Sequence, residues 1–308
     1  MTADVLPQLT AEVTAAAHPD ATPCHCGAAT TTLAHRPDTT VLRHAATVAK
    51  AHAPGTDPTA LTLRLAIATG LPDVFLPPLA PAPAAFVGDR PVTLWPYGVP
   101  LDPDAPEAAP WEAAATLLAL LHRTPPTPTA PPMAGPAKAA RAIARLGEAL
   151  AATGAHPAAP PVLRAWSALP AWARAEAPAP GRPRTLCHGD LHLGQLVRYP
   201  APDGPWRLID VDDLGVGDPA WDLGRPASWY ACGLLPPDEW TRFLSAYRAA
   251  GGPAVPQDGD PWAALDVPAR ALTVQTGARY LAKAIAANRP LDEVERSLID
   301  ACARMAPE

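Results

Sequence analysis

Residues 186–195 read LCHGDLHLGQ, and two acidic segments follow, LIDVDD at residues 208–213 and GDPAWDL at residues 217–223. In the first segment the carboxylate of Asp190 follows an apolar, strand-like stretch, and Gly189 allows the backbone to turn tightly beside it. Asp210 ends a second apolar stretch. Carboxylates that orient a hydroxyl group, together with oxygen ligands for a hard cation, are what phosphoryl transfer requires. The segments therefore predict a phosphoryl-transfer centre.

The spacing of the first segment matches the pattern H-x-D-L-x-x-x-N of a protein-kinase catalytic loop, in which the Asp acts as base and the Asn binds a metal ion. His188, Asp190 and Gln195 take those positions, and Asp210 follows where a second metal ligand is expected. Alternation along an extended strand would place Asp212 on the same side as Asp210. We therefore predict Gln195, Asp210 and Asp212 as magnesium ligands.

A structural reading of these residues competes with the functional one. A single Asp in a loop usually serves a turn or caps a helix. His188 is expected to hydrogen-bond backbone groups and to pack behind the loop rather than to take part in chemistry, and His192 is expected to be a solvated loop residue. The combined spacing of the polar positions is harder to obtain from turn chemistry, which favours function for the set as a whole.

Composition and charge limit the kinds of protein that this chain could be and the partners that it could bind. The chain has 308 residues, of which 48% are hydrophobic, so it is long for one small domain and can bury a sizeable core. The net charge is −6 and no long Lys/Arg run occurs, which argues against nucleic acid or an anionic membrane as a partner. With no signal-peptide pattern and no apolar run of membrane-spanning length, we expect a cytoplasmic protein. None of these features encodes the oligomeric state.

Five cysteines are scattered along the chain, and in a cytosolic protein the expectation is five reduced thiols. The triplet Cys24-His25-Cys26, together with His18, could form part of a metal site. Zinc sites usually combine two pairs of ligands, and no second pair follows in the sequence.

The N-terminal third is predicted to contain strands and two helices. A short helix is expected over residues 8–17, and alternating polarity predicts a hairpin. Asp57 and Pro58 provide a helix start, and a later apolar run that ends in a turn reads as one more strand. The expected elements are a hairpin of Thr40–His44 and Thr47–His52, a helix over Thr59–Thr69, and a strand over Pro91–Trp95.

From Pro110 onward the pattern turns helical, with a strand at Trp206–Val211 that interrupts it. The predicted fold class is therefore α+β, with a small β-rich N-terminal lobe at residues 1–97 and a larger, mainly helical C-terminal lobe at residues 98–308. The helices are expected over Trp111–Arg123, Lys138–Ala152, Pro161–Ala173, Pro219–Cys232, Pro237–Ala250, Pro268–Ala287 and Leu291–Met305.

Across Thr185–Arg225 the chain resembles the aminoglycoside phosphotransferase/choline kinase family, small-molecule kinases with a two-lobed, protein-kinase-like fold. The form H-G-D-L-H-x-G-[NQ] is also similar to the maltokinase branch. The resemblance implies ATP and Mg²⁺ as cofactors, with Asp190 as catalytic base and Gln195 and Asp210 as metal ligands. It implies that Asp222 is the buried carboxylate that braces the catalytic loop.

The resemblance is looser over Thr39–Tyr97. There it implies that Lys50, at the end of a predicted strand, contacts the α- and β-phosphates of ATP. It also implies that Trp95–Gly98 is the hinge whose backbone hydrogen-bonds adenine, which makes Trp95 and Tyr97 candidate nucleotide contacts.

Two departures from the family pattern concern the nucleotide. Gln195 replaces the usual Asn and lengthens the side chain by one methylene. The Glu that pairs with the family's lysine is missing, because no Glu occurs between residues 12 and 107. Asp57 is the only acid between Lys50 and residue 70, so either Asp57 substitutes, or phosphates alone hold Lys50, or the nucleotide site is impaired.

The expected function is ATP- and Mg²⁺-dependent transfer of the γ-phosphoryl group to a hydroxyl of a small molecule, aminoglycoside-like, sugar or amino-alcohol. Acidic residues in the helical part would suit a cationic acceptor. These residues are Asp238, Glu239, Asp258, Asp260 and Asp266.

Two other functions remain as alternatives. A catalytically impaired pseudokinase or binding module of the same fold would account for both departures. A metal-dependent phosphoesterase would account for the sequence G-D-L-H at residues 189–192, but the other motifs that such enzymes need are missing from the sequence.

Overall fold

The structure is a computed structural model that describes residues 5–20, 24, 26–102, 104–179 and 181–305. It contains two compact units. The first comprises the described residues up to Ala109, Pro128–Pro131 and Gly194–Asp212. The second comprises Pro110–Thr127, Pro132–Leu193 and the described residues from Asp213 onward. The first unit thus takes in residues 194–212, which fall in the second segment of the predicted division at residue 97.

The fold is α+β, as predicted. In chain order its elements are α1 (Val5–Ala17), β1 (Thr31–Arg36), β2 (Thr39–His44), β3 (Thr47–Ala51), α2 (Pro58–Gly70), β4 (Ala85–Val87), β5 (Arg90–Pro96), β6 (Val99–Pro100), α3 (Trp111–Arg123), α4 (Gly135–Thr153), α5 (Ala159–Ser167), β7 (Thr185–Cys187), β8 (Leu196–Arg198), β9 (Trp206–Leu208), β10 (Gly215–Gly217), α6 (Ala220–Ala231), α7 (Pro237–Ala249), α8 (Trp262–Ala286) and α9 (Glu293–Met305).

The first unit is built on a five-stranded antiparallel sheet of order β1-β2-β3-β5-β4. The predicted hairpin is β2 and β3, and the predicted strand over residues 91–95 is β5. β1 and β4 were not predicted, because β1 is almost wholly exposed and lacks an apolar alternation, and β4 has only three residues. α1 packs on the sheet through Leu9 and Val13, which contact a core that includes Leu42 and Ala49.

The helix after β3 begins as the sequence predicts. Asp57 is its N-cap, the backbone N–H of Thr59 donates to the Asp57 side chain, and Pro58 occupies the first turn. The helix includes Gly70, where it was expected to stop. Further along the chain β6, β8 and β9 form a small antiparallel sheet, and Phe75 bridges to the buried Leu208 of β9. This arrangement anchors the acidic segment that follows β9.

The second unit is a helical assembly in which α8 packs against α4, α5, α6 and α9, and α3 packs against α7. Alanines line much of its core, which lets helices approach closely. α8 was predicted to start at Pro268 but begins at Trp262 and runs through that proline. A proline inside a helix removes one backbone hydrogen bond, and here Pro268 is buried against Gly224 of α6.

In the described part of the chain, no helix has both the length and the apolarity to cross a membrane.

A two-stranded antiparallel pair holds the start of the predicted catalytic loop. β7 pairs with β10, so that Cys187 lies opposite Gly215. Residues 188–193 leave the end of β7 as a loop whose origin is fixed by this pairing.

Truncating Leu9 tests the packing of α1 on the sheet. Leu9 is fully buried, so Leu9→Ala should lower the free energy of unfolding by about 2–5 kcal/mol. Urea denaturation followed by circular dichroism measures the change. Leu33→Ala on β1 is the matched control, since Leu33 is 48% exposed and should cost little. Equal losses in the two variants would contradict the packing described.

Candidate active site

The predicted catalytic loop lies in the second unit and is held by the carboxylate of Asp222. The backbone N–H of His188 donates to Asp222 Oδ2 at 2.6 Å, and the N–H of Gly189 donates to Oδ1 at 2.7 Å. Asp222 lies in the first turn of α6 and is buried. Backbone donors to a carboxylate are strong, charge-assisted hydrogen bonds. The loop is thereby fixed at the two residues before Asp190.

Two further side chains, those of His122 and Tyr247, orient Asp222. The Tyr247 hydroxyl accepts from the Ala254 N–H at 3.1 Å and lies 2.7 Å from His122 Nδ1. The carboxylate of Asp222 can only accept, so His122 Nε2 carries a proton and donates to Asp222 Oδ2 at 3.0 Å. In the neutral imidazole Nδ1 then accepts from the Tyr247 hydroxyl. Burial raises the pKa of Tyr247, which keeps the phenol protonated and able to donate.

Only glycine fits at position 189. Its φ is +87°, and a Cβ there would lie 2.4 Å from the carbonyl oxygen of Asp213. Gly189 therefore lets the loop pass directly over the backbone of Asp213, next to Asp190.

Two cations hold the carboxylate of Asp190. Lys138 Nζ on α4 donates to Asp190 Oδ2 at 2.6 Å and to Asp213 Oδ2 at 2.5 Å. Arg225 on α6 donates to Asp190 Oδ1 at 2.5 Å and, through Nε, to the carbonyl of Leu191 at 3.1 Å. Both oxygens of Asp190 are thus fixed in direction.

These contacts set the ionisation of Asp190. Burial raises the pKa of the Asp190 carboxyl, but the charges of Lys138 and Arg225 outweigh burial and leave that pKa well below its usual range. Burial likewise lowers the pKa of Lys138, and the charges of Asp213 and Asp190 outweigh it and raise that pKa. Asp190 is therefore an anion throughout the physiological pH range. It can accept a hydrogen bond from a hydroxyl and is a weak base.

In the first unit Lys50 pairs with two carboxylates. Its Nζ lies 2.7 Å from Asp210 Oδ1 and 2.9 Å from Asp212 Oδ2. Asp57 does not substitute for the missing Glu, because its side chain caps α2. Burial lowers the pKa of Lys50, but the two carboxylates outweigh burial and raise it, so that Lys50 stays charged.

A chain of hydrogen bonds links Asp212 to β5. His52 Nδ1 lies 2.7 Å from Asp212 Oδ1, and His52 Nε2 lies 2.8 Å from Thr93 Oγ1, which also accepts from the Trp95 indole N–H at 2.9 Å. The carboxylate of Asp212 can only accept, so His52 Nδ1 carries a proton and donates to it. In the neutral imidazole Nε2 then accepts from the Thr93 hydroxyl. Burial raises the pKa of Asp212, but Lys50 and His52 outweigh burial and lower it.

Asp210 has an unusual backbone conformation. Its φ is +67°, in the left-handed region, which non-glycine residues adopt at a cost of roughly 1–3 kcal/mol and often at functional sites. The Ile209 N–H donates to the carbonyl of Gln195 at 2.9 Å, and the Gln195 amide lies 3.3 Å from Asp210 Oδ2. The predicted metal ligands Gln195 and Asp210 therefore lie side by side.

The side chains of this group suit a hard cation. The side chains of Asp210 and Asp212 are 33% and 36% exposed, and the Gln195 amide can turn its oxygen toward their carboxylates. Oxygen ligands of this kind, from two acids and an amide, fit Mg²⁺.

The predicted hinge residues have contacts within the first unit. The N–H of Tyr97 donates to the carbonyl of Ala46 at 2.7 Å, and Arg43 lies 3.4 Å above the Tyr97 ring. Trp95 continues β5 and pairs with Val48. An adenine contact at Tyr97 would have to use a group other than its N–H.

The predicted site residues are divided between the two units. His188, Asp190 and Asp222 belong to the second unit, where hydrogen bonds connect them. The others belong to the first unit, where Lys50, Gln195, Asp210 and Asp212 also form one connected group. Trp95 joins that group through Thr93 and His52, and Tyr97 contacts Arg43 and Ala46.

The connected groups of side chains in the two units include four further residues that were not predicted from the sequence. They are Lys138, Arg225, His52 and His122. One signal was available for Arg225, because it lies three residues after Asp222 and so shares a helix face with it. The only signal for Lys138 in the sequence was that lysine is rare in this chain. His52 and His122 carried no signal, since their partners are 160 and 100 residues away along the chain.

Comparison with known proteins places the chain among phosphotransferases. A sequence model described as "Phosphotransferase enzyme family" matches residues 39–265. The curated N-acetylmuramate/N-acetylglucosamine kinase of Caulobacter vibrioides is 30% identical over 106 residues, and the match covers 29% of this chain and 29% of that kinase. The chain therefore spans less than a third of that relative.

Solved structures with the same fold include the choline kinase LicA of Streptococcus pneumoniae, with a TM-score of 0.61 at 12% identity over 98% of this chain and 99% of that one. An ADP-bound aminoglycoside phosphotransferase, APH(2'')-Ib, has a TM-score of 0.53 at 14% identity over 97% of each chain. At such identities the likeness concerns the fold alone.

Replacing Asp222 tests the brace behind the loop. Asp222→Asn keeps the shape but turns an amide N–H₂ toward a backbone donor, so the free energy of unfolding should fall by about 3 kcal/mol. Thermal and urea unfolding measure the loss. Asp266→Asn on α8 is the control, since Asp266 is 58% exposed and should change stability little. An Asp222→Asn variant as stable as the control would contradict a bracing role.

Proposed function

Because the chain belongs to the phosphotransferase enzyme family and is a small-molecule kinase, we propose that it transfers the γ-phosphoryl group of ATP to a hydroxyl of a small molecule, with Mg²⁺ as cofactor. The observation that carries the proposal is the carboxylate of Asp190, fixed by Lys138 and Arg225 in a loop that Asp222 braces.

Asp190 would orient the acceptor hydroxyl. A carboxylate has about four lone-pair sites, and Lys138 and Arg225 use two of them. The remaining sites can accept the hydroxyl hydrogen and direct the oxygen toward the phosphorus atom. A weak base suffices, because the transition state of phosphoryl transfer is loose and the hydroxyl loses its proton late.

Gln195, Asp210 and Asp212 would hold Mg²⁺, which supplies neutralisation of phosphate charge when bound. Lys50 would contact the nucleotide phosphates. Its contacts to Asp210 and Asp212 use two of its three N–H donors, so a phosphate oxygen can take the third. His52 would keep Asp212 in place through its Nδ1–H.

Different observations support the proposed nucleotide and the proposed acceptor. Nucleotide use is supported by the fold shared with an ADP-bound phosphotransferase. For the acceptor we propose an aminoglycoside-like compound, a sugar or an amino-alcohol. Three of the acids that would suit a cationic acceptor already have partners within the chain. Glu239 accepts from the Trp111 indole, Asp260 accepts from the N–H of Trp262, and Asp266 lies near Arg270.

A screen for ADP release tests the proposed function. The full-length chain should release ADP from ATP and Mg²⁺ with at least one member of a panel of aminoglycosides, sugars and amino-alcohols. Asp190→Asn should lower kcat by about 10²–10⁴-fold while circular dichroism and Tm show a folded protein. Asp300→Asn, at an exposed acid of α9 outside both groups, should leave kcat unchanged. Full turnover by Asp190→Asn would overturn the assignment of Asp190.

Thermal shifts separate a kinase from an impaired binding module of the same fold. For a kinase, ATP should raise Tm more with Mg²⁺ than without it, and Asp210→Asn should remove the metal-dependent part. A module that has lost the nucleotide site would show no shift with ATP under either condition. Phosphate release from a phosphomonoester with Mn²⁺ and no nucleotide would favour a phosphoesterase instead.

The charge of Lys138 should set the pH dependence of the reaction. Asp190 must be ionised to accept the hydroxyl hydrogen, and its lowered pKa keeps it ionised, so the wild-type kcat/KM should have no acid limb from this group above pH about 5. Lys138→Met removes the larger of the two cationic contributions, so that Arg225 alone opposes the burial that raises the pKa of Asp190. That pKa should rise to its usual range or above it, and an acid limb should appear in kcat/KM.

Two lysine variants control the Lys138→Met experiment. Lys138→Arg keeps the charge and should keep most of the wild-type pH profile. Lys283→Met, on α8, removes a lysine outside the site and should leave the profile unchanged. A Lys138→Met variant without an acid limb would contradict the proposed electrostatic role.

A further inference from the structure

Outside the candidate active site, the first unit contains a cluster of two cysteines and two histidines. Ligand atoms of His18, Cys24, Cys26 and His44 all lie within 4.8 Å of one another. From this geometry we infer that the four side chains bind one zinc ion. His25, which the sequence places between the cysteines, lies outside the described residues.

The distances within the cluster are those of a site that can close on one ion. His44 Nε2 lies 3.4 Å from Cys24 Sγ and 3.4 Å from Cys26 Sγ. Zn–S bonds of about 2.3 Å and Zn–N bonds of about 2.0 Å at a tetrahedral angle separate S and N ligands by about 3.5 Å. The two sulfur atoms are 3.0 Å apart and would open to about 3.8 Å around the ion.

His44 is oriented as a metal ligand. It ends β2 and is 4% exposed. Its Nδ1 lies 3.1 Å from Thr30 Oγ1, so a proton on Nδ1 donates to the hydroxyl and the lone pair of Nε2 points at the two sulfur atoms. A metal-bound histidine commonly donates its other ring N–H to an oxygen in this way.

His18 supplies an independent indication. Its Nε2 is buried and has no hydrogen-bond partner among the described residues. An orphaned buried nitrogen is costly, and buried polar atoms are nearly always satisfied. The His18 ring meets the His44 ring edge to face, with centroids 5.3 Å apart. A metal ion at the cluster would satisfy His18 Nε2.

The ligand set favours zinc over magnesium. Thiolates are soft ligands that Mg²⁺ avoids, whereas two thiolates and two imidazoles form a common structural zinc site. Four protein ligands complete a tetrahedral shell and leave no position for a substrate. The role of the ion is therefore structural.

The site joins elements far apart in the chain. His18 follows the end of α1, and His44 ends β2 beside the turn to β3. α1 packs on the sheet through Leu9 and Val13. Zinc would fasten the C-terminal end of α1 to β2, the strand next to β3, which carries Lys50.

Metal analysis of the purified full-length chain tests the inference. After growth with zinc, reduction and removal of loosely bound metal, elemental analysis should find about one zinc per chain. Cys24→Ser/Cys26→Ser and His44→Gln should each lose most of it. Cys232→Ser and His35→Gln are matched controls, since Cys232 is also partly buried and His35 Nδ1 also contacts a threonine hydroxyl, that of Thr40. Both controls should keep their zinc.

Two further measurements apply if the variants fold poorly. Wild-type protein loaded with Co²⁺ should show thiolate-to-cobalt charge-transfer absorption and the intense visible bands of a tetrahedral site. A strong zinc chelator should lower the Tm of the wild-type protein by several degrees, because bound metal stabilises the folded state. Re-addition of zinc should restore it.

Three results would overturn the inference. One is wild-type protein that stays free of zinc after anaerobic reduction and reconstitution. Another is zinc that persists in the double cysteine variant and so binds elsewhere. The third is a Cys24–Cys26 disulfide that re-forms in preference to zinc binding when reduced protein is offered both oxidant and metal.

Discussion

The carboxylate of Asp222 is the contact on which the candidate active site depends. It accepts the backbone N–H groups of His188 and Gly189, and it is held from behind by His122. A buried carboxylate with three donors is well satisfied, while the loss of any one would leave a charge or a backbone donor exposed to a low dielectric. The same helix face carries Arg225, which reaches Asp190. One turn of α6 thus fixes both the path of the loop and the direction of its functional side chain.

The carboxylates of both candidate groups form ion pairs with a lysine. Lys138 lies between Asp190 and Asp213, and Lys50 lies between Asp210 and Asp212. For Asp190 and Asp212, burial alone would raise the pKa of the carboxyl, but attraction to the nearby ammonium is larger and keeps both acids ionised. A carboxylate held in this way has a negative charge fixed in position, but the neighbouring ammonium makes it a weaker base. That exchange suits phosphoryl transfer, in which placing charge matters more than moving a proton.

The elements that could be predicted from the sequence are those that depend on local patterns of residues. Most helices lie within a few residues of their predicted bounds, because apolar periodicity and caps such as Asp57 are local signals, and the pairing of β2 with β3 follows from a short turn. What it missed depends on contacts between distant residues. The exposed strand β1 has no apolar alternation to reveal it, and α8 continues through Pro268 because packing outweighs a lost hydrogen bond. Likewise, nothing near His44 indicates that it faces Cys24 and Cys26.

The missing glutamate has a structural consequence that the sequence did not reveal. In protein kinases an ion pair between the nucleotide lysine and a helix glutamate couples the position of that helix to catalysis. Here Lys50 instead forms its ion pairs with Asp210 and Asp212, and Asp57 caps α2. Two of the proposed metal ligands, Asp210 and Asp212, therefore position Lys50, and His52 connects Asp212 to β5 through Thr93. In the part of the chain that the structure describes, the ion pairs of Lys50 therefore include no residue of α2.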